Sequence, residues 1–226
     1  SKNPLCPCIV LKHSTVYRFL HQQNLVHLPV KRPVDRRKFE AELPNDLWQS
    51  DVMHGPKVDI NGKMRKSYLI AVIDDHSRLI AHGQFYLSEA LVCYLDAFEQ
   101  ALATRGLPRK LYVDNGAAFR SRHLEYISAS LAIALIHSKP YQPQGRGKIE
   151  RFFQFVQSDF LPELARSSVN TLHQLNESLL AWLEVVYHHK LHTETGQAPL
   201  ERHRQDPAPA TRPADPEELR QAFLHR

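Results

Sequence analysis

Cysteine is scarce in this chain of 226 residues, and the few present do not pair: Cys6, Cys8 and Cys93 are an odd number with no CxxC spacing. That excludes a disulfide framework and the usual paired ligands of a structural zinc site. The nearest approach to a metal motif, Cys6-Pro7-Cys8 with His13, reads as ordinary thiols. Long apolar runs are also missing. None approaches the roughly 20 residues that a membrane helix needs, and no apolar leader opens the chain. A soluble, intracellular, cytoplasmic protein is therefore expected. Because the sequence opens at Ser1 inside what reads as a motif, it is also expected to be a piece of a longer protein.

What is present is enough for a core: 42% of the residues are apolar. The net charge of +5 is unevenly spread. Residues 1–40 carry eight Lys/Arg against two Asp/Glu, and the rest carries 21 against 22. Attraction for a polyanion is thus concentrated at the front. There, "HSTVYRFLHQQNL" reads as a short helix capped by Ser14, with Val16, Phe19 and Leu20 inward and Arg18 outward. It reads equally as a recognition helix whose bracing partner is cut away, since Pro4 and Pro7 leave no room for one, and as a short amphipathic surface helix. The stretch "VKRPVDRRKFE" reads as a basic linker, with Lys31, Arg32, Arg36 and Arg37 placed to lie along phosphates. Residues 1–44 are taken as a truncated DNA-binding segment plus linker, 45–202 as the catalytic core and 203–226 as a proline-rich tail that either wraps the core or stays free.

From Leu47 the pattern alternates. "LWQSDVMH" is a strand bounded by Gly55-Pro56; Asn61-Gly62 turns into the apolar strand "SYLIAVID"; "RLIAHGQFYL" completes a meander. A helix follows, capped by Ser88, stopped by Gly106 and showing Leu91, Leu95, Phe98 and Leu102 on one face. Then come strand "KLYVD", a helix near "SRHLEYISAS", strand "AIALIH" and two long helices. The first buries Ile149, Phe152, Phe153, Val156 and Phe160, and the second Leu172, Leu175, Leu179, Trp182 and Val186.

Phosphodiester chemistry with two metals needs hard oxygen ligands at fixed positions beside a mobile, basic approach. Three acids answer that description. Asp51 lies in the first strand, Asp114 ends "LYVD" before the turn "NGAAF", and Glu150 opens the helix after "YQPQGRGK". Between them lie 62 and 35 residues. Asp74 and Asp75 follow the strongest strand, but read as the turn into Ser77-Arg78. Asn115 reads first as a turn residue, with a DNA contact as the alternative, and His137 equally as a sheet-edge histidine or a phosphate ligand. His188, His189 and His192 read as a helix C-terminus.

With "WQSDVMH", "YLIAVIDDHSR", "VDNGAAF", "IHSKPYQPQGRGKIERFF" and "HTETGQAPLERH" in this order, the chain resembles the DDE transposases and retroviral integrases over about residues 45–202. It is most similar to insertion-sequence transposases with integrase-like cores, which implies a bacterial source. The resemblance implies an α/β, RNase H-like fold with a mixed five-stranded sheet and flanking helices. It further implies a metal-binding triad of Asp51, Asp114 and Glu150 holding two Mg²⁺, with Mn²⁺ as a substitute, Asp51 bridging the ions. The implied reaction is hydrolysis of a strand at the transposon end and transfer of the freed 3′-hydroxyl to target DNA, carried out by a homo-multimer. Arg146 and Lys148 are expected to approach phosphates. Retroviral integrases carry lysines four and seven residues after the glutamate, where this chain has Gln154 and Gln157; glutamine hydrogen-bonds to phosphate or a base edge without supplying charge. A nuclease that only hydrolyses, and an inert DNA-binding protein on the same scaffold, are the alternatives.

Overall fold

A computed structural model describes residues 12–23, 40–138, 146–205 and 212–224. The chain divides into two units, residues 1–38 and 39–226. In the first, helix α1 (His13–Gln22) has Lys12 at its N-cap without a side-chain bond, so Ser14 lies inside the helix instead of capping it. None of its residues is buried; Phe19 is 59% exposed, and Val16, Tyr17 and Arg18 also face outward. Lys31, Arg32, Arg36 and Arg37 lie outside the described residues.

The second unit is built on a five-stranded mixed sheet in the order β3-β2-β1-β4-β5. Strands β1 (Trp48–Ile60), β2 (Lys63–Asp74) and β3 (Ile80–Tyr86) form the antiparallel meander. Both residues of the first turn, Asn61 and Gly62, have positive φ, as a two-residue hairpin requires, and the Asp59 carboxylate accepts from the Gly62 amide at 2.6 Å. Gly55-Pro56 does not end β1 as expected. The strand runs through it with a register shift between His54 and Lys57, and a Cβ at Gly55 would stand 2.5 Å from the Phe85 ring.

Helix α2 (Leu91–Arg105) ends at Gly106, φ 84°. Its N-cap is Ala90; Ser88, two residues before it, accepts from the Ala90 amide. Strand β4 (Lys110–Val113) runs parallel to β1, α3 (Arg122–Ser130) is capped by Ser121, and β5 (Ala134–His137) runs parallel to β4. Helix α4 (Gly147–Phe155) continues through a π-helical stretch, Val156–Phe160, into α5 (Leu161–Leu164). Helix α6 (Leu172–Val185) opens on a Thr171/Gln174 capping box, and α7 (Pro199–Gln205) and α8 (Pro216–Leu224) follow.

Alternation along the strands splits the core between the two faces. Trp48, Ile70, Val72, Leu111 and Val113 pack with α2, α3 and α8 on one side. Met53, Leu69, Ala71, Ile73 and Phe85 pack with α4, the π stretch and α6 on the other. The α4 stripe is buried residue for residue as the periodicity implies; in α6, Leu183 takes the place expected for Val186, which is exposed. Residues 212–224 are no loose tail. Leu107 pairs with Arg212, whose guanidinium donates to the Leu131 carbonyl at 2.6 Å, and Leu219 and Ala222 of α8 are buried in the core. Among the described residues no helix is long and apolar enough to cross a membrane.

Candidate active site

Strand register brings the first two acids together. Parallel pairing of β1 with β4 is confined to Trp48–Leu111 and Gln49–Tyr112. Carrying the same offset two residues past the last paired rung sets Asp51 opposite Asp114. Both lie on the face that packs with α4, because their neighbours Trp48, Val52, Leu111 and Val113 belong to the opposite core. Two carboxylates facing each other across neighbouring strands repel, and a cation between them removes the repulsion.

That cation here is Arg146, the residue just before α4. Its guanidinium donates to Asp51 Oδ2 in a very short contact and stands 3.6 Å from Asp114 Oδ2. Glu150, exposed in the first turn of α4, adds its field to the same guanidinium. Burial by itself opposes the charge on Arg146, but the Asp51 hydrogen bond and the charges of Asp51, Asp114 and Glu150 outweigh it and hold the guanidinium above its ordinary value. Asp51 is shifted upward, first by burial; Arg146 and the Val52 amide oppose the shift, and Asp114 adds to it.

The turn after β4 is tied from several directions. Asp114 Oδ1 accepts from the Gly116 amide at 2.7 Å. Asn115 donates to the Ser138 carbonyl at 2.6 Å, and the His137 ring meets the Asp114 carbonyl at 3.2 Å. Asn115 and His137 thus tie the ends of β4 and β5 together.

Lys148, expected to face phosphate, turns inward. Its ammonium makes a very short ion pair with Asp75, whose side chain is 0% exposed. Asp75 also accepts from Gln49 Nε2 at 2.6 Å and from the Ala41 amide at 2.7 Å. Burial lowers the Lys148 pKa, and the Asp75 and Glu40 charges work against that shift. Asp74 closes the turn as expected, accepting from the Ser77 amide and hydroxyl and from the Asn45 amide. Gln154 on α4 and Gln157 in the π stretch lie exposed, Gln154 accepting from Arg151 at 3.1 Å. His188 is internal: its Nε2 accepts from the Ile80 amide at 3.3 Å, its Nδ1 lies 3.4 Å from Glu184, and burial lowers its pKa to about 4.

Of the three acids, then, two converge and the third stands at the rim. Among the described residues no three His, Cys, Asp or Glu side chains form a group that would hold a metal as they are. Sequence reasoning missed the Arg146 bridge and the Asp75 hub. The available signal was the density of opposite charge in "GRGKIE", which was read outward toward DNA.

A mixed sheet in this order, with helices on both faces, is the RNase H-like fold of integrase catalytic cores. Residues 41–143 match the family model of the integrase core domain, and the chain is homologous to bacterial transposases. It is 33% identical to the transposase of transposon Tn552 from Staphylococcus aureus, over 72% of this chain and 38% of that protein. It is 28% identical to the transposase of insertion sequence IS1202 from Streptococcus pneumoniae, over 80% of this chain and 37% of that protein. The chain thus spans little more than a third of these relatives. The fold matches a chain of the simian T-cell lymphotropic virus intasome, with TM-score 0.65 and 21% identity over 79% of this chain and 61% of that one. It also matches the HTLV-2 integrase catalytic core solved with magnesium, with TM-score 0.58 and 22% identity over 73% of this chain and 99% of that one.

Proposed function

We propose that this chain is the catalytic core of a DNA transposase that cleaves a strand at the transposon end and joins the 3′-hydroxyl to target DNA, working as a multimer on paired ends. The observation that carries the reading is the pair Asp51, within β1, and Asp114, just past the end of β4, set on one face and sharing one cation. Their donor set fits divalent metal: hard carboxylate oxygens already converge on a single positive group. Asp51 and Asp114 would hold Mg²⁺, or Mn²⁺ in its place, with Glu150 completing the set from α4. Such ions, when bound, supply positive charge at phosphorus and lower the pKa of the attacking hydroxyl.

The protein's own groups do the rest. Arg146, displaced from the acids, becomes a bidentate donor for phosphate at the same entrance. Gln154 and Gln157 present neutral donors along α4 and the π stretch, which position the duplex without adding charge. Asn115 keeps the β4 and β5 ends together while DNA loads. Arg18 and the basic run Lys31, Arg32, Arg36 and Arg37 would add phosphate contacts from the first unit.

A pre-cleaved transposon-end duplex with Mg²⁺ tests the reading. Joined product is expected from the wild type; nicking without joined product would instead indicate a nuclease. Glu150→Gln should abolish joining while DNA affinity stays within about twofold, since catalysis and binding then separate. A Glu150→Gln variant that still joins strands removes Glu150 from the triad, and a wild type that binds DNA but neither nicks nor joins it leaves only a binding scaffold.

A further inference from the structure

The Asp75 carboxylate holds two residues at once, and each lies two positions before a proposed metal ligand. Gln49, which donates to Asp75 Oδ1 at 2.6 Å, precedes Asp51 on β1. Lys148, which pairs with Asp75 Oδ2, precedes Glu150 on α4. The third tie, from the Ala41 amide, anchors the carboxylate from the segment leading into the sheet.

Local rules argue against a lysine at this position. The first turn of a helix presents unpaired N–H groups and the positive end of the dipole, so a cation there is unfavourable. Helix α4 has no side-chain cap to offset it. A buried ion pair is also poor value as a source of stability, because desolvation takes back most of its attraction, whereas a direction-fixing role is well attested for such pairs. The segment from Arg146 to Glu150 must nevertheless be fixed, since Glu150 lies on a helix that starts only at Gly147.

Resting on the reading of Asp51, Asp114 and Glu150 as the metal-binding acids, we infer that Asp75 and Lys148 are a positioning pair: through one buried carboxylate they lock the strand bearing Asp51 to the helix turn bearing Glu150. Neither touches the reacting atoms. Their work is to keep the third carboxylate at the rim of the first two, so that only a short movement completes the set. Besides the pair, the first turn of α4 is held by the contacts of Arg146 with Asp51 and Asp114 and by the packing of Ile149 and Phe152.

The test compares the wild-type protein with Lys148→Met, Lys148→Arg and the neutral double variant Asp75→Asn/Lys148→Met. Three quantities are read: thermal midpoint, amide hydrogen exchange over residues 147–152, and Mg²⁺-dependent strand cleavage of an end duplex with kcat and KM separated. Lys148→Met alone leaves a buried carboxylate unpaired and is expected to melt early. The double variant has no unpaired charge and should melt within about 4 °C of the wild type. Its kcat should nevertheless fall about a hundredfold, the scale of a misplaced catalytic group, with KM unchanged and exchange in the first turn of α4 faster. Lys148→Arg should restore kcat and protection together. A double variant that cleaves at the wild-type rate, or one whose loss appears only in KM, overturns the inference. Asp51→Asn serves as the control: if it cleaves as well as the wild type, the reading of the metal-binding acids fails on its own account, whatever Lys148 does.

Discussion

Arg146 is the residue on which the present state of the site turns. A guanidinium shared by two facing acids neutralises them when nothing else does, and a divalent ion would compete for the same oxygens. Arg146→Ala should therefore bind Mn²⁺ about tenfold tighter, which is about 1.4 kcal/mol, and lower the thermal midpoint of the metal-free protein. Calorimetric titration checks the first and a melt the second; unchanged affinity would mean that the arginine does not contend with metal. The identity of the three acids was legible from spacing and strand order, and their convergence in part follows from register. What the sequence withheld is direction. Arg146 and Lys148 stand two apart where the basic loop becomes α4, and nothing in their spacing tells that each turns inward to a carboxylate 95 or 73 residues away.

Among the elements, the strands and the two helical stripes were legible because burial on one face enforces a period. Boundaries were not, and each miss has a local cause. The absent Cβ at Gly55 lets β1 pass a Gly-Pro pair beneath Phe85, and a serine two residues before the N-cap, Ser88, conceals that α2 starts at Leu91. The end of α6 has a titration of its own. Neutral His188 accepts from β3, and its pKa is lowered to about 4, below the ordinary value of about 6.5. Between those values the unfolded chain binds the extra proton, so this contribution to stability is complete above about pH 6.5 and is lost as pH falls toward about 4. His203, also lowered to about 4 by burial, acts in the same direction. In His188→Gln, which keeps an acceptor for Ile80, the fall in thermal midpoint over that range should be visibly shallower; identical pH profiles would rule out this assignment.

For the molecule as a whole, the surprise is at the C-terminal end. Proline and charge in residues 203–226 left open whether the tail wraps the core or stays free; the apolar positions Leu219 and Ala222, three apart in a short helix, are buried against α2 and α3. Composition averaged over the segment hid a stripe only one turn wide. Leu219→Ala should cost about 2–5 kcal/mol, the range for a buried leucine, measured by denaturant unfolding. A cost below about 0.5 kcal/mol, typical of surface positions, would show that α8 adheres without contributing.

The short ladder between β1 and β4 has a mechanical meaning. A sheet whose two central strands stop bonding at Gln49 and Tyr112 resembles a zip left open at its last teeth, with Asp51 and Asp114 on the parted edges. No rung between β1 and β4 spans that gap, so its width answers to the turn after β4 and to whatever charge lies between the two carboxylates.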